Sequence, residues 1–253
     1  MNYRNPTLLV ALLACGLASP VAAQPPEPEI DPMVLAAGYL AHHPDVRNRR
    51  EGFEALRDGL EQAAFAAFKR AARHADKPSQ AMLGHMLWNG IGVARDRPQA
   101  YAWMDLAAER HYPRLLIERE KYWAKLSAAE RRQAIEVGQP LLAEFGDAAA
   151  KPRMARELRR GARARTGSRT GGPSGRISII IPGGFDTIAN LVNNGNPGGG
   201  MSIDASEYYR DRYWQPEAYW AWQDELWGAP NTGEVDVGAP ARVRGDAARE
   251  DGG

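Results

Sequence analysis

The sequence predicts a mainly α-helical protein: an α/α solenoid of helical hairpins, followed by a loop-rich C-terminal extension with a short β ribbon and an aromatic helix. Three observations predict it. Two alanine-rich segments, residues 64–74 (AFAAFKRAARH) and 100–110 (AYAWMDLAAER), superpose at a spacing of 36 residues. A Gly-Ile-Gly sequence separates two helical patterns. A β-branched run, residues 177–181 (ISIII), follows the helical patterns. Self-similarity at this period is typical of stacked hairpins, and β-branched runs are typical of strands.

The first 23 residues have the features of a secretory signal peptide. Arg4 precedes an apolar run over residues 7–17, and small residues end at Ala23. Cleavage after Ala23 predicts a periplasmic or secreted protein. A retained anchor is the alternative, although the run is too short to span a bilayer stably. A second alternative is a lipoprotein anchored through Cys15, whose surroundings loosely resemble a lipobox.

Composition limits the function further. The net charge of +1 gives no general attraction to nucleic acid, which we do not expect as a partner. Cys15 is the single cysteine, so a chain cleaved after Ala23 has no disulfide, zinc thiolate or cysteine nucleophile. An apolar fraction of 44% over 253 residues is enough for a sizeable core.

The predicted elements begin after a proline-rich acidic spacer. Residues 24–45 contain this spacer and a short helix, and residues 46–126 form the repeat region, with helices starting near residues 46, 63 and 79. We expect Ser79 to cap the third of these. Ala100, Trp103, Met104, Ala107 and Ala108 share one helical face, where alanines allow close helix approach and large residues fill the gaps.

Residues 127–165 are predicted to complete the stack. Helices over residues 113–126 and 127–145 follow the repeat, and Ser127 with Glu130 forms a capping box. Gly146 ends the second helix. A basic helix follows, in which Arg153, Arg156, Arg160 and Arg163 fall on one face.

One unit of the repeat region has a distinctive set of residues at fixed spacing: Leu83, Gly84, Leu87, Gly90, Gly92, Val93, Asp96, Ala100, Trp103, Ala107 and Ala108. With this spacing it resembles a Sel-1-like repeat (SLR), a relative of the tetratricopeptide repeat, and the similarity covers roughly residues 46–126. The sequence departs from the family at Leu87, where tyrosine is frequent, and at residues 105–106, where basic residues are usual. The resemblance implies an α/α solenoid that mediates protein–protein contact, and its bacterial members are often exported.

The paired glycines of this unit are predicted to turn a corner between helices. A phosphate-binding loop follows a strand and is followed by a lysine, whereas here a helix precedes Gly90 and no lysine follows nearby. Gly90 and Gly92 instead permit left-handed backbone angles in a tight turn.

The last third of the chain changes in composition. Residues 166–200 form a glycine-rich linker with a strand over residues 177–181, and residues 201–204 are its predicted partner strand. Residues 201–228 also carry a Trp/Tyr-rich helix framed by Pro216 and Gly228. Residues 229–253 form a polar tail, predicted to be mobile.

No arrangement of residues predicts catalysis, a cofactor or a metal. The five histidines lack the metal-ligand spacing beside carboxylates, and the GGPSG of residues 171–175 lacks the second glycine of a nucleophile elbow. We therefore predict a protein without enzymatic activity.

Three groups of side chains are candidates for partner binding. The first is Met82, His85 and Trp88, on the helix before the glycine corner; alternatively, Trp88 packs against a neighbouring hairpin. The second is the arginine face, which could hold an acidic protein, glycan or lipid surface, or simply be solvated. The third is Trp214, Trp220 and Trp222, which could bind sugar rings; alternatively, Tyr219, Trp222 and Leu226 clasp the helix onto the solenoid.

Together these features predict a scaffold of the bacterial cell envelope that holds an unidentified envelope or secreted protein. The alternative is a module that binds envelope glycan or an anionic polymer through the C-terminal aromatic residues and the basic helix.

Overall fold

The computed structural model describes residues 30–163, 178–181 and 201–228. The predicted signal peptide, most of the glycine-rich linker and the predicted mobile tail lie outside these ranges. The described residues are mostly helical, with one two-stranded sheet, which confirms the predicted fold class. No described helix combines the length and the apolar character that a membrane crossing requires.

Six helices, two hairpins followed by two helices that both pack on the second hairpin, form what we call the repeat body. They are α2 (Pro44–Arg57), α3 (Glu61–Ala72), α4 (Lys77–Asn89), α5 (Arg97–Ala107), α6 (Pro113–Lys125) and α7 (Ala128–Phe145). Helix α1 (Pro32–Ala36) and a short 3₁₀ turn (Tyr39–Ala41) precede them. The 3₁₀ turn buries the ring of Tyr39.

The corners between helices depend on caps and glycines. Asp76, not Ser79, caps α4: its carboxylate accepts a hydrogen bond from the Ser79 N–H, and Ser79 lies inside the first turn. The expectation for Ser79 was wrong because a better acceptor stands three residues earlier. Gly90 and Gly92 have φ of +74° and +66°, and they connect α4 to α5.

One apolar core fills the repeat body. It contains the predicted stripe residues Ala100, Trp103 and Met104, together with Leu83 and Leu87. At Gly84 a Cβ atom would lie 2.9 Å from the carbonyl oxygen of Ala100, so only glycine permits this approach of α4 to α5. The packing of α5 therefore uses small residues at contacts and large residues beside them.

Two long helices end the helical run. Helix α7 begins with the predicted capping box, in which Ser127 and Glu130 exchange hydrogen bonds, and ends before Gly146. Helix α8 (Asp147–Arg163) buries Met154 and Leu158.

The C-terminal part returns to this body. Strands β1 (Ser178–Ile181) and β2 (Met201–Asp204) pair antiparallel, with Ser178 opposite Asp204. Helices α9 (Ala205–Tyr208), α10 (Asp211–Trp214) and α11 (Pro216–Gly228) follow, and we call these three helices the clasp. Tyr219 of α11 packs against Met154 and Leu158 of α8, so the predicted aromatic helix lies on the helical body.

Candidate functional site

A surface groove runs between α5 and α7, with α6 at one side, and we call it the α5–α7 groove. Its volume is about 440 Å³. Residues from all three helices line it: Tyr101, Ala102, Asp105 and Leu106 from α5, Arg119 and Trp123 from α6, and Ile135, Gly138, Gln139 and Leu142 from α7.

The groove contains two large exposed apolar side chains. Ile135 is 56% exposed and Leu142 is 49% exposed. Both lie on α7 seven residues apart, and Gly138 stands between them, so they form one stripe along the helix. The residues just before and after this stripe, Ala134 and Phe145, are buried in the core. Helix α7 thus has an apolar face on its inner side and a second apolar stripe facing the groove.

Charged groups stand beside this stripe. The carboxylate of Asp105 lies 3.6 Å from the guanidinium of Arg119, which also donates to Glu120 at 2.6 Å. Partial burial raises the pKa of Asp105, with Arg119 opposing that shift. The Asp105 side chain is 54% exposed, so its carboxylate is also within reach of a cation on a docked partner.

The three candidate residues of α4 have little free surface. Trp88 is 8% exposed and stacks on Tyr122 with ring centroids 4.2 Å apart, while Arg97 lies over its ring at 5.2 Å. Met82 and His85 are half-buried, and burial lowers the pKa of His85. Trp88 therefore packs against a neighbouring helix, which is the alternative to partner binding, as large aromatic rings are usually buried.

The four arginines of the predicted basic face differ in their contacts. Arg153 donates to the carbonyl oxygens of Glu144 at 2.6 Å and Arg73 at 3.3 Å, so it closes the corner between α7 and α8. Arg160 pairs with Glu157 at 2.7 Å. Arg156 and Arg163 are exposed. Two of the four candidates thus serve local structure.

The C-terminal tryptophans do not form one patch. Trp214 is buried and donates to the carbonyl of Tyr208 at 2.6 Å. Trp220 lies beneath Arg110 and Lys151, at 4.7 Å and 5.2 Å from its ring centroid. Trp222 is half-buried and lines a separate cavity. A single sugar platform made of all three rings is therefore wrong, because the helices α10 and α11 direct them to different neighbours.

A network of charged and polar side chains leads from the body to the clasp, and no periodic pattern in the sequence predicted it. Lys77 is buried and bonds Glu109 at 2.6 Å and Asp147 at 3.1 Å. Arg110 donates two hydrogen bonds to the carboxylate of the same Asp147, from Nε at 2.6 Å and from Nη2 at 3.0 Å. Tyr112 then donates to Asp224 of α11 at 2.5 Å. Partial burial of Asp147 raises its pKa, but Arg110 and Lys77 outweigh this effect and hold that pKa well below its usual value.

A second polar contact holds α11 to α2. The hydroxyl of Tyr219 donates to the buried carboxylate of Asp45. Burial raises the pKa of Asp45 to about 6, and the nearby Asp76 adds to the rise. His43, two residues earlier, contacts the carbonyl oxygens of Tyr39 and Tyr213, each at 2.8 Å. Burial lowers the pKa of His43 to about 4.

Sequence reasoning did not find the apolar stripe of α7. Ile135 and Leu142 belong to the helix predicted to complete the stack, and periodicity alone cannot show that a second apolar stripe stays uncovered. The signal available was the width of the apolar face: residues 134, 135, 141, 142 and 145 span more than one side of a helix.

Comparison with known proteins gives one similar structure. No protein-family model matches the chain, and no curated protein matches it. A crystal structure of a protective antigen present in uropathogenic Escherichia coli strains, displaying an SLR fold, is 28% identical with a TM-score of 0.39. The match covers 52% of this chain and 28% of that one, so the chain spans about a quarter of that protein's length.

The chain resembles Sel-1-like repeat proteins. The resemblance rests on one hairpin of the chain: α4, α5 and the corner between them contain the repeat residues named above, except Ala108, which directly follows α5. Asp96, one of those residues, caps α5 by accepting a hydrogen bond from the N–H of Gln99 at 2.9 Å.

Proposed function

We propose that the chain is a non-enzymatic scaffold of the bacterial cell envelope that holds a partner protein in the α5–α7 groove. The observation that carries the proposal is the stripe of Ile135 and Leu142, two half-exposed side chains over a groove of about 440 Å³. Single exposed apolar residues are ordinary, but two on one stripe beside a groove are typical of a docking surface.

The groove favours an amphipathic α-helix as the docked element. In a solenoid each helix packs its apolar stripe against the next one, and the terminal unit needs a polar outer face. Helix α7 has an apolar stripe with helical spacing that the described helices leave exposed. A partner helix with apolar residues one and two turns apart would cover Ile135 and Leu142.

The charges of the groove add a requirement on the partner. Asp105 shares Arg119 with Glu120 and has a raised pKa. A lysine or arginine on the partner helix, placed beside its apolar stripe, would stabilise the ionised form of Asp105. The proposed partner segment is therefore a helix with one basic side chain next to two apolar ones.

Location in the envelope is part of the proposal and rests on residues 1–23. Cleavage after Ala23 would release the protein to the periplasm or outside the cell, and lipidation at Cys15 would anchor it to a membrane instead. Mass spectrometry of the mature N-terminus, purified from the envelope of an expressing bacterium, distinguishes an unmodified Gln24 from an acylated Cys15.

The docking test uses two isoleucine variants of equal chemistry. Ile135 and Ile117 are 56% and 55% exposed, but only Ile135 lines the groove. Proteins captured from envelope extract by the wild-type protein, and identified by mass spectrometry, should be lost with Ile135→Glu and retained with Ile117→Glu. A photo-crosslinking residue at position 139 should join the same protein to the groove.

Two results would contradict the proposal. Equal capture by Ile135→Glu and the wild-type protein would place the partner elsewhere. Binding to isolated cell-wall material that survives Ile135→Glu, together with no captured protein, would favour the glycan or anionic-polymer module instead.

A further inference from the structure

A second cavity lies between the beginning of the described chain and the clasp, away from the α5–α7 groove. Its volume is about 680 Å³. The residues that decide its chemistry are Asp31, Glu207, Arg210, Arg212, Tyr213 and Trp222. They include two carboxylates, two guanidinium groups and two aromatic rings, on α1's cap and on the three helices of the clasp.

The charges of the cavity are not equally paired. Arg210 forms an ion pair with Glu207. Asp31 caps α1 and accepts a hydrogen bond from the N–H of Met33 at 2.8 Å. Arg212 pairs with no carboxylate of the described residues: its Nη2 donates to the hydroxyl of Tyr213 at 2.8 Å, and its Nε is buried without a partner. Among the described residues, Arg212 is therefore the cation of this cavity without a carboxylate partner.

The aromatic rings hold this guanidinium in place. Arg212 lies 4.8 Å from the ring centroid of Tyr213 and 5.6 Å from that of Trp222. The two rings meet edge to face, with centroids 5.5 Å apart. Contact with two rings fixes the orientation of a long side chain before any ligand arrives, which lowers the entropy cost of binding.

From this arrangement we infer that the cavity binds an acidic sugar, a hexuronate, as a free monosaccharide or as the terminal residue of a polymer. Its carboxylate pairs with Arg212, and its ring packs on Trp222. Its hydroxyl groups donate to the carboxylates of Asp31 and Glu207. These three contacts involve the guanidinium of Arg212, the ring face of Trp222 and the remaining acceptor lone pairs of the two carboxylates.

The same groups disfavour other ligands. A polyanion or phosphate meets two carboxylates as well as two guanidinium groups, so the cavity offers it no net positive field. A neutral sugar leaves Arg212 without an anion. A simple aliphatic carboxylate has no hydroxyl groups that donate to Asp31 and Glu207, so no hydrogen bond offsets the repulsion between its charge and theirs.

The test measures binding of glucuronate to the full chain by tryptophan fluorescence and isothermal titration calorimetry. The expected dissociation constant is about 1 mM, as for other ligands of this size. Glucose and acetate, at equal ionic strength, should bind at least about tenfold more weakly. A polymer with a terminal glucuronate and its reduced, neutral counterpart show whether the sugar is recognised as a chain end.

Variants locate the binding. Arg212→Gln should weaken glucuronate binding at least about tenfold and leave glucose unaffected, whereas Arg156→Gln, at an exposed position of α8, should change neither. Arg212→Lys keeps the charge but loses the forked geometry and should fall between them. Circular dichroism checks that each variant is folded.

Any of three results overturns the inference. One is no saturable glucuronate signal with the wild-type protein, which needs no variant. Another is equal binding of glucuronate, glucose and acetate. The last is unchanged glucuronate binding by folded Arg212→Gln. None of these bears on partner capture through Ile135, so the two proposals fail separately.

Discussion

The contacts inside the repeat body are largely apolar, whereas the clasp combines apolar packing with buried polar contacts to the rest of the chain. Inside the repeat body, buried contacts join apolar side chains such as Phe68, Leu83 and Trp103. The clasp meets α2 through the Tyr219–Asp45 hydrogen bond, and it meets Tyr112 through Asp224. Apolar packing depends on shape and volume, whereas buried polar contacts depend on protonation and on every donor having its acceptor.

Because of this difference, the two regions should respond differently to substitutions and to pH. Stability of the body should be most sensitive to added atoms where helices nearly touch. Attachment of the clasp should also be sensitive to pH, because Asp45 and His43 are buried titratable groups at its contact with α2. The predictions below separate these responses, from the largest expected effect to the smallest.

The largest effect is expected at the glycine corner of the body. At Gly92 a Cβ atom would lie 2.5 Å from the carbonyl carbon of Glu61, and φ is +66°. Gly92→Ala should therefore lower the free energy of unfolding by at least about 3 kcal/mol, from backbone strain and overlap together. Urea denaturation measures this loss.

Gly90 supplies the control for that prediction. Its φ is +74°, but a Cβ atom there would meet its nearest neighbour at 3.6 Å, an ordinary contact. Gly90→Ala should cost only about 1 kcal/mol, from the left-handed angle alone. Equal losses for the two variants would show that close approach to Glu61 does not stabilise the corner.

A smaller effect is expected where the clasp meets α8. A Cβ atom at Gly161 would overlap the ring of Trp214 and lie 2.9 Å from the Cβ of His42. Gly161→Ala should cost about 2 kcal/mol by overpacking and loosen the clasp while the body stays folded. Limited proteolysis should then cut near residue 205 faster, with the far-ultraviolet spectrum nearly unchanged.

Gly138 of α7 is the matched helical glycine. A Cβ atom there would meet Ala102 at 3.8 Å, so it has room. Gly138→Ala should stabilise the protein by up to about 1 kcal/mol through helix propensity. Destabilisation by both variants, without faster cleavage in Gly161→Ala, would contradict the assigned role of Gly161.

The smallest effect is a change in pH dependence. The pKa of Asp45 is raised to about 6, so its contribution to stability is present below pH 4 and is lost as pH rises through 6. The pKa of His43 is lowered to about 4, so its contribution is present above pH 6.5 and is lost as pH falls through 4. Between pH 4 and 6 the two slopes oppose each other.

Asp45→Asn removes one of these slopes. Unfolding free energies measured in urea at pH 4.5 and pH 7 should fall more steeply on acidification in this variant than in the wild-type protein. The comparison concerns the slope alone, since the substitution also shifts stability by a constant amount. An equal change of the unfolding free energy with pH in the two proteins would show that Asp45 does not offset the effect of His43.

The sequence by itself determined the helices and their corners. Ser127 and Glu130 predicted the start of α7, and the alanines and Trp103 of α5 predicted the face that enters the core. These features depend on neighbours within about eight residues, because capping and helical periodicity are local. The paired glycines likewise indicated a corner through the backbone angles that they permit.

Tertiary structure alone decided which surfaces stay open and which charges are buried. Tyr219 meets Asp45 across 174 positions, and Ile135 is exposed because no described helix covers that side of α7. Trp88, Trp214 and Trp222 are equally apolar in sequence, yet the first two are buried and the third lines a cavity. Exposure depends on what packs from elsewhere in the chain, and local sequence patterns carry no information about that neighbour.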